Sequence, residues 1–188
     1  MLGISTYKPN FHTSAKEFKN EFEQILFGLV GKKIDRFWLM WDVKENEWLA
    51  DGPVILEIDG ERFEFTVYQI AEFSLTINSF ELSDKLDWYE SGDEMPLIWK
   101  ENGKVELTKN LDKRIVGINI LTYTMQTELL TGIEFVLEKE SDSDDENFFS
   151  IYNGLDQNEL GKTEIQYENQ IKRIKITGYN KGNRCTTP

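Results

Sequence analysis

The strongest indication of the fold lies in Ile34-Asp-Arg-Phe-Trp-Leu-Met-Trp-Asp-Val43. Successive side chains of a β-strand point to opposite faces of the sheet, and apolar residues occupy both faces here. One face carries Phe37, Leu39, Trp41 and Val43, and the other carries Trp38 and Met40. A strand that is apolar on both faces has to be covered on both. The stretch therefore predicts a central strand with a layer packed on each side.

The size of the chain is typical of one domain. It has 188 residues, of which 39% are hydrophobic and 13% aromatic, so large side chains for a core are abundant. Sandwiches and barrels often reach this length without dividing. Residues 1–177 are predicted to form a single globular domain. Residues 178–188 are polar and without an apolar period, which predicts a frayed carboxy-terminal tail.

The charge balance of the chain is strongly acidic. Asp and Glu outnumber Lys and Arg by 34 to 21, which gives a formal net charge of −13. Nucleic-acid-binding proteins neutralise phosphates with clustered basic residues, so a surface of the opposite sign repels nucleic acids and anionic membranes. A negative field instead speeds the encounter with a cationic protein, which is the partner we expect. The alternative is that the acidity serves solubility alone.

Cys185 is the only cysteine, which excludes an intramolecular disulfide and a thiolate zinc site. The first ten residues lack the apolar run of a secretion signal. Apolar stretches end well short of the roughly 18 residues that a membrane-spanning helix needs. These features predict a cytoplasmic protein without a cofactor or a metal centre.

One amphipathic helix is predicted near the amino terminus. Ser14 and Glu17 have the spacing of a capping box, and Gly31 is a typical stop for a helix that ends near Val30. Apolar residues recur at helical spacing between them, at Phe18, Phe22, Ile25, Leu26 and Leu29. The apolar face is expected to cover one side of the sheet.

Asp59-Gly60 predicts a hairpin with a type I′ turn between residues 54–58 and 61–67. That turn places Glu57 directly opposite Arg62, where unlike charges are favourable. Asn102-Gly103 predicts a second hairpin, between residues 97–100 and 105–108. A further strand is predicted at residues 71–80, with one face exposed to solvent. Other strands are predicted at residues 114–125, 133–138, 148–152, 165–167 and 171–176.

Short strands at regular spacing with a single helix predict a mainly β fold. We expect an antiparallel β-sandwich or a partly closed barrel of about 9–11 strands, with the N-terminal helix packed on it. Residues 114–125 are apolar on both faces and are expected to be a second interior strand. Residues 81–96 interrupt the pattern as an acidic loop.

The sequence contains no complete motif for catalysis or metal binding, so no catalytic residue is predicted. Gly161-Lys162-Thr163 lacks the preceding glycine and the following helix of a phosphate-binding loop. Residues 141–146 are acidic but lack the spacing of a calcium loop and are expected to be a solvated loop tip. His12, the only histidine, is expected to be a surface residue before the helix cap.

Glu57 and Glu64 are the best-defined pair of carboxylates, on one face of the first hairpin with Arg62 between them. A nearby arginine lowers the pKa of a carboxyl group, whereas a catalytic acid needs a pKa raised by burial. The pair is therefore predicted to be a solvent-exposed charge ladder.

The acidic loop carries the candidate partner-binding site. Aromatic side chains surrounded by carboxylates are the composition of an interaction hot spot with a polar rim. The candidate residues are Asp84, Asp87, Trp88, Tyr89, Glu90, Asp93 and Glu94. The alternative is that Trp88 and Tyr89 fold back as a lid on one end of the core.

The sequence is compatible with three functions. The first is a non-enzymatic module that binds a cationic protein, of which the small acidic immunity proteins are a general instance by charge and size alone. The second is a carrier that encloses a small apolar ligand in a barrel lined by the aromatic residues of the opening strand. The third is a hydrolase that uses paired carboxylates in a cleft.

Overall fold

The computed structural model describes residues 1–124, 126–139, 148–154, 156–161 and 170–178. It contains two antiparallel sheets and a helix near the amino terminus, which confirms the predicted sandwich-type, mainly β fold. The elements are α1 Ala15–Gly28, β1 Arg36–Asp42, β2 Glu47–Trp48, β3 Val54–Ile58, β4 Glu61–Tyr68, β5 Glu72–Ile77, β6 Leu97–Glu101, α2 Val105–Thr108, β7 Ile115–Thr124, β8 Glu128–Leu137, β9 Phe148–Asn153, β10 Asn158–Gly161 and β11 Ile171–Lys175.

The helix α1 begins where the capping pattern predicts. The Ser14 hydroxyl accepts a hydrogen bond from the Glu17 N–H, which satisfies one of the unpaired donors of the first turn. The buried residues of α1 include Phe18, and its ring lies 5.5 Å from the ring of Phe73 on β5. The helix thus contributes its apolar face to the core on one side of the first sheet.

The central position of β1 is confirmed. In the first sheet, whose order is β2-β1-β3-β4-β5, β1 also pairs with β6. Trp38 and Leu39 pair with both β3 and β6, so these two strands flank β1 on opposite edges. Leu39 lies in the core between the sheets, whereas Trp38 and Met40 lie in a second apolar cluster on the opposite face. Both faces of β1 are therefore covered.

The first predicted hairpin is confirmed in its turn and its register. Asp59 and Gly60 have φ angles of 56° and 80°, and Glu57 pairs with Arg62. Their charged groups have other partners, however. Arg36 donates to Glu57 at 2.7 Å, and Arg62 donates to a main-chain carbonyl after β5.

The second predicted hairpin is wrong. Residues 105–108 form the short helix α2, and β6 pairs with β1. Asn102 has a φ of 51°, and its N–H donates to the Phe37 carbonyl at 3.0 Å, so the turn leads the chain away from β6. Leu107 of α2 is 3% exposed and fills the main core. Tertiary pairing with an apolar strand outweighs the local turn signal here.

In the second sheet the strand order is β10-β9-β8-β7-β11. β7 lies between β8 and β11, which confirms it as a second interior strand within the described residues. β8 begins at Glu128, earlier than predicted, and β10 was not predicted. The predicted strand at residues 165–167, the loop at 141–146, residue 125 and the tail from residue 179 lie outside the described residues. The single-domain assignment stays a prediction.

The main core lies between the two sheets and is rich in aromatic rings. Phe65 of β4 meets Phe135 of β8 edge to face at 5.9 Å, and Phe135 stacks on Phe149 of β9 at 5.0 Å. All three side chains are at most 2% exposed. Such buried rings contribute on the order of 2–3 kcal/mol each through removal of apolar area from water.

A second core covers the outer face of the first sheet, and it corrects the prediction that one face of residues 71–80 is exposed to solvent. Leu2 and Tyr7 of the amino-terminal segment, with Phe80 and Leu86 after β5, pack on this face. The outer face of β5 is therefore not exposed to solvent, and Ser74 on this face is fully buried. The acidic loop at residues 81–96, called the acidic segment below, supplies apolar side chains to this layer. They are needed there because the second apolar face of β1 has to be covered as well.

Candidate functional site

The acidic segment folds into two successive 3₁₀ turns, Trp88–Glu90 and Gly92–Glu94. Two of its carboxylates hold this backbone in place. Asp84 accepts from the Glu81 N–H at 3.0 Å, and Asp87 accepts from the Gly92 N–H at 3.0 Å. Four other side chains of the predicted site are exposed to solvent, namely Tyr89, Glu90, Asp93 and Glu94. The predicted site thus contains Asp84 and Asp87, which shape the segment, and four exposed residues without such a role within the described ranges; Asp84 is exposed as well.

Trp88 and Tyr89 behave differently, although they are adjacent. Trp88 is half-buried against the second core, as the lid alternative expects, whereas Tyr89 is 59% exposed. Their rings meet edge to face, with centroids 5.0 Å apart and planes at 86°. The pair therefore presents an aromatic corner at the surface.

This aromatic corner forms one wall of a cleft of about 330 Å³. The cleft is lined by Met1, Asp51, Val67, Tyr68, Gln69, Trp88, Tyr89 and Asp156. Only Trp88 and Tyr89 belong to the predicted site, and the other predicted residues are not in the lining. Asp51, Tyr68 and Asp156 were missed, because no sequence pattern signals that loops so far apart in the chain meet.

Two buried asparagines bring these loops together. Asn158 of β10 donates from its backbone and its side chain to the Ala50 carbonyl, at 2.9 and 3.1 Å. Asn153 of β9 donates to the Gln69 carbonyl at 2.6 Å. The turn between β9 and β10, which carries Asp156, is thereby fixed beside two loops of the first sheet. The Tyr89 N–H donates to the Met1 carbonyl at 3.0 Å and closes the opposite side.

Asp51 and Asp156 place two carboxylates in the cleft. Partial burial raises the pKa of Asp51, and the neighbouring Asp156 carboxylate raises it further. Burial, then Tyr68 and Asp51, raise the pKa of the Tyr89 phenol above its ordinary value. The neutral phenol can donate a hydrogen bond. Within the described part of the chain, neither Asp51 nor Asp156 forms an ion pair.

Unfavourable backbone conformations accumulate at the same place. Nine described residues other than glycine have positive φ, and six of them are Asn or Asp, which tolerate the left-handed region. The other three are Gln69, Tyr89 and Glu90, with φ of 51°, 47° and 64°. Gln69 and Tyr89 line the cleft, and Glu90 is the next residue along the chain. Such conformations cost about 1–3 kcal/mol each and concentrate at binding sites.

The cleft combines carboxylates with aromatic rings, two kinds of group that can attract a cation. Carboxylates attract a cation by charge, and the faces of tryptophan and tyrosine rings attract it through their quadrupole. No group of three or more potential metal ligands occurs among the described residues. The cleft volume is at the lower end of the roughly 300–1,000 Å³ of small-molecule sites, which suits a single side chain.

His12 lies away from this cleft, and the prediction that it is a surface residue is wrong. It is 8% exposed, its ring lies 5.7 Å from that of Phe18, and its Nε2 lies 3.2 Å from a Glu21 carboxylate oxygen. Its backbone also pairs with Phe73 of β5. His12 is buried because it links the segment before α1 to both α1 and the first sheet.

The prediction of an exposed ladder at Glu57 and Glu64 is wrong for Glu64, which is fully buried. Thr76 and Ser79 donate their hydroxyls to it at 2.6 and 2.9 Å. Burial raises the pKa of Glu64, and this effect outweighs the hydrogen bonds and the nearby Arg62, which lower it. The second core, invisible in the sequence, supplies that burial.

No family model matches the chain, and comparisons with the curated proteins and with the solved structures find no match either. In the described part of the chain, no helix has the length and apolar character needed to cross a membrane.

Proposed function

We propose that this protein binds a cationic protein partner, with a positively charged side chain of the partner held in the cleft. The composition of the cleft supports this proposal, because Asp51 and Asp156 lie in it together with Tyr68, Trp88 and Tyr89. Neither carboxylate has an ion-pair partner among the described residues. A bound cation would relieve the repulsion between the two carboxylates, which favours binding.

The surroundings of the cleft support a protein as the partner. Ile70 and Tyr68 are 60% and 39% exposed beside it, and exposed apolar groups next to aromatic anchors are typical of interface centres. Exposed Glu90, Asp93 and Glu94 provide the acidic rim, which raises the association rate with a basic surface. Sequestration of a basic protein in the cytoplasm, as immunity proteins do, is one such role.

The test is a calorimetric titration with an oligolysine peptide at low and at high salt. Asp156→Asn keeps a residue that tolerates the φ of 81° at this position. The matched control is Asp112→Asn, which removes the same charge at another exposed left-handed position, with φ of 62°, outside the cleft lining.

We expect Asp156→Asn to weaken binding several-fold more than Asp112→Asn, and we expect added salt to weaken binding to the unmodified protein. Equal losses in the two variants would mean that the peptide responds to net charge rather than to the cleft. That result would overturn the proposal.

A carboxylate-based hydrolase is the second candidate, favoured by the raised pKa of Asp51 beside Asp156 in one cleft. A panel of chromogenic glycosides tests it. Turnover that is lost in Asp51→Asn and kept in Asp112→Asn would replace the first proposal by this one.

The carrier of a small apolar ligand is the least supported of the three. Phe37 and Trp38 of β1 lie in separate apolar clusters on opposite faces of the strand. Two residues so placed are not in a position to line one shared cavity.

A further inference from the structure

We propose that the cation held in the cleft is a methylated ammonium group, as carried by a methylated lysine side chain of the partner protein. This inference rests on the proposed function and names the chemistry of the group that the cleft receives.

The arrangement of aromatic rings is the first reason. Trp88 and Tyr89 meet at 86°, and Tyr68 lines the same cleft. Three aromatic side chains around one small volume can surround a cation with ring faces, and tryptophan is the strongest such partner. A planar guanidinium is recognised best by a bidentate carboxylate and one stacked ring, and such a pair needs no aromatic corner.

The apolar part of the lining is the second reason. Met1 and Val67 line the cleft together with the rings and the two carboxylates. An unmodified ammonium carries three N–H donors, and donors turned toward apolar or ring surfaces would lose their hydrogen bonds to water. Methyl groups in place of those hydrogens lose nothing against the same surfaces.

The charge of the cleft is the third reason. A trimethylated ammonium keeps its full positive charge while it is less strongly hydrated than a bare ammonium. The attraction of Asp51 and Asp156 is therefore retained while the cost of stripping water falls. A neutral group of the same shape would lose this attraction.

The test is a set of titrations that follow tryptophan fluorescence, with three peptides of one sequence that differ in a single side chain. The side chains are lysine, trimethyllysine and the uncharged tert-butyl analogue of trimethyllysine. Choline is the fourth ligand, because it carries the same head group without a peptide.

We expect trimethyllysine to bind about two- to fivefold more tightly than lysine, the size of a cation–π interaction at a partly exposed site. The tert-butyl analogue and choline should both bind more weakly than the trimethyllysine peptide. Tyr89→Phe should preserve the preference for trimethyllysine, because it keeps the ring, and Tyr89→Leu should abolish it.

Each other outcome overturns a definite statement. A lysine peptide that binds as well as the trimethyllysine peptide overturns this inference and leaves the proposed function intact. An equally tight tert-butyl analogue means that the cleft is simply apolar, and equally tight choline means that a free small molecule is the ligand. Failure of all the cationic peptides to bind overturns the proposed function itself.

Discussion

The ring of Tyr89 stands at 86° to the ring of Trp88, and the backbone of Tyr89 is the reason. With a φ of 47°, Tyr89 occupies the left-handed region, which a bulky residue rarely adopts. Trp88 can then pack on the second core while its neighbour is exposed at the cleft. The aromatic corner exists because backbone strain is maintained at this turn by the surrounding packing.

Gln69→Gly should stabilise the protein. Gln69 is exposed and has a φ of 51°, which glycine adopts without a steric cost. Relief of the left-handed conformation outweighs the extra entropy of an unfolded glycine, so we expect a gain of about 1 kcal/mol in the free energy of unfolding. Urea denaturation measures the change.

Gln157→Gly is the matched control for that substitution. Gln157 is also an exposed glutamine in a turn, but it is not among the residues with positive φ. Here glycine should destabilise by roughly 0.5–1 kcal/mol, because only the entropy effect remains. Equal effects of the two substitutions would show that the conformation of Gln69 is not strained.

Glu64 should make stability depend on pH. Its pKa is raised in the folded state by burial, so the folded protein holds this proton to higher pH than the unfolded chain does. The free energy of unfolding should therefore fall as pH rises from the ordinary glutamate pKa, about 4.3, through the raised value. Glu64→Gln should flatten this decline, as measured by urea denaturation over that range.

Glu61→Gln is the corresponding control, because Glu61 lies on the same strand and is exposed. It should leave the decline unchanged. A decline that is equally steep in Glu64→Gln would show that another group is responsible.

Gly132→Ala should destabilise the second sheet strongly. A Cβ at this position would lie 2.3 Å from the Ile151 carbonyl oxygen and 2.6 Å from the Tyr152 Cα, both on the adjacent strand β9. Backbone cannot move aside as a flexible side chain can, so we expect a loss of about 1–3 kcal/mol.

Gly117→Ala provides the comparison within the same sheet. The nearest atoms to a Cβ there belong to Val136, at 3.7 and 3.8 Å, which is ordinary contact. The change should be neutral or stabilise by up to about 1 kcal/mol, because the unfolded chain loses freedom. Thermal unfolding of the two variants separates steric from entropic effects, and similar melting temperatures would contradict the close approach at Gly132.

Arg173→Met should lower the free energy of unfolding more than is usual for a substitution at a partly exposed residue. Arg173 donates from Nε to both oxygens of Glu134, at 3.0 Å, and Glu134 is only 3% exposed. Loss of the arginine leaves this carboxylate buried without its cation, at a cost on the order of 3 kcal/mol. Glu134→Leu combined with Arg173→Met should recover most of that loss, since no charge is left unpaired. Additive losses in the double variant would contradict this account.

Much of the fold was predictable from local signals. The apolar pattern of β1, the Asp59-Gly60 turn and the Ser14 cap each depend on residues within one element, and all three are confirmed. The Asn102-Gly103 turn does not form a hairpin, because β6 pairs with β1, a strand much earlier in the chain. Local turn preference is weaker than the burial of a long apolar strand.

The candidate site was predictable only in part. Trp88 and Tyr89 were identified by their aromatic character in an acidic segment, but their acidic neighbours do not line the cleft. The carboxylates that do, Asp51 and Asp156, lie in turns of two different sheets. Their meeting depends on the hydrogen bonds of Asn153 and Asn158, and nothing in the sequence marks these two residues.

The alternation of apolar side chains along consecutive residues was enough to predict β1 as a central strand, covered on both faces, in a mainly β antiparallel fold. The tertiary structure alone decided that the amino-terminal segment and the acidic segment cover the outer face of the first sheet, which buries Glu64 and holds Trp88. It also decided that Asp51 and Asp156 meet. Both the second core and the cleft form where segments far apart in the chain pack together. This packing depends on the strand order and loop closure of the whole chain rather than on any local pattern.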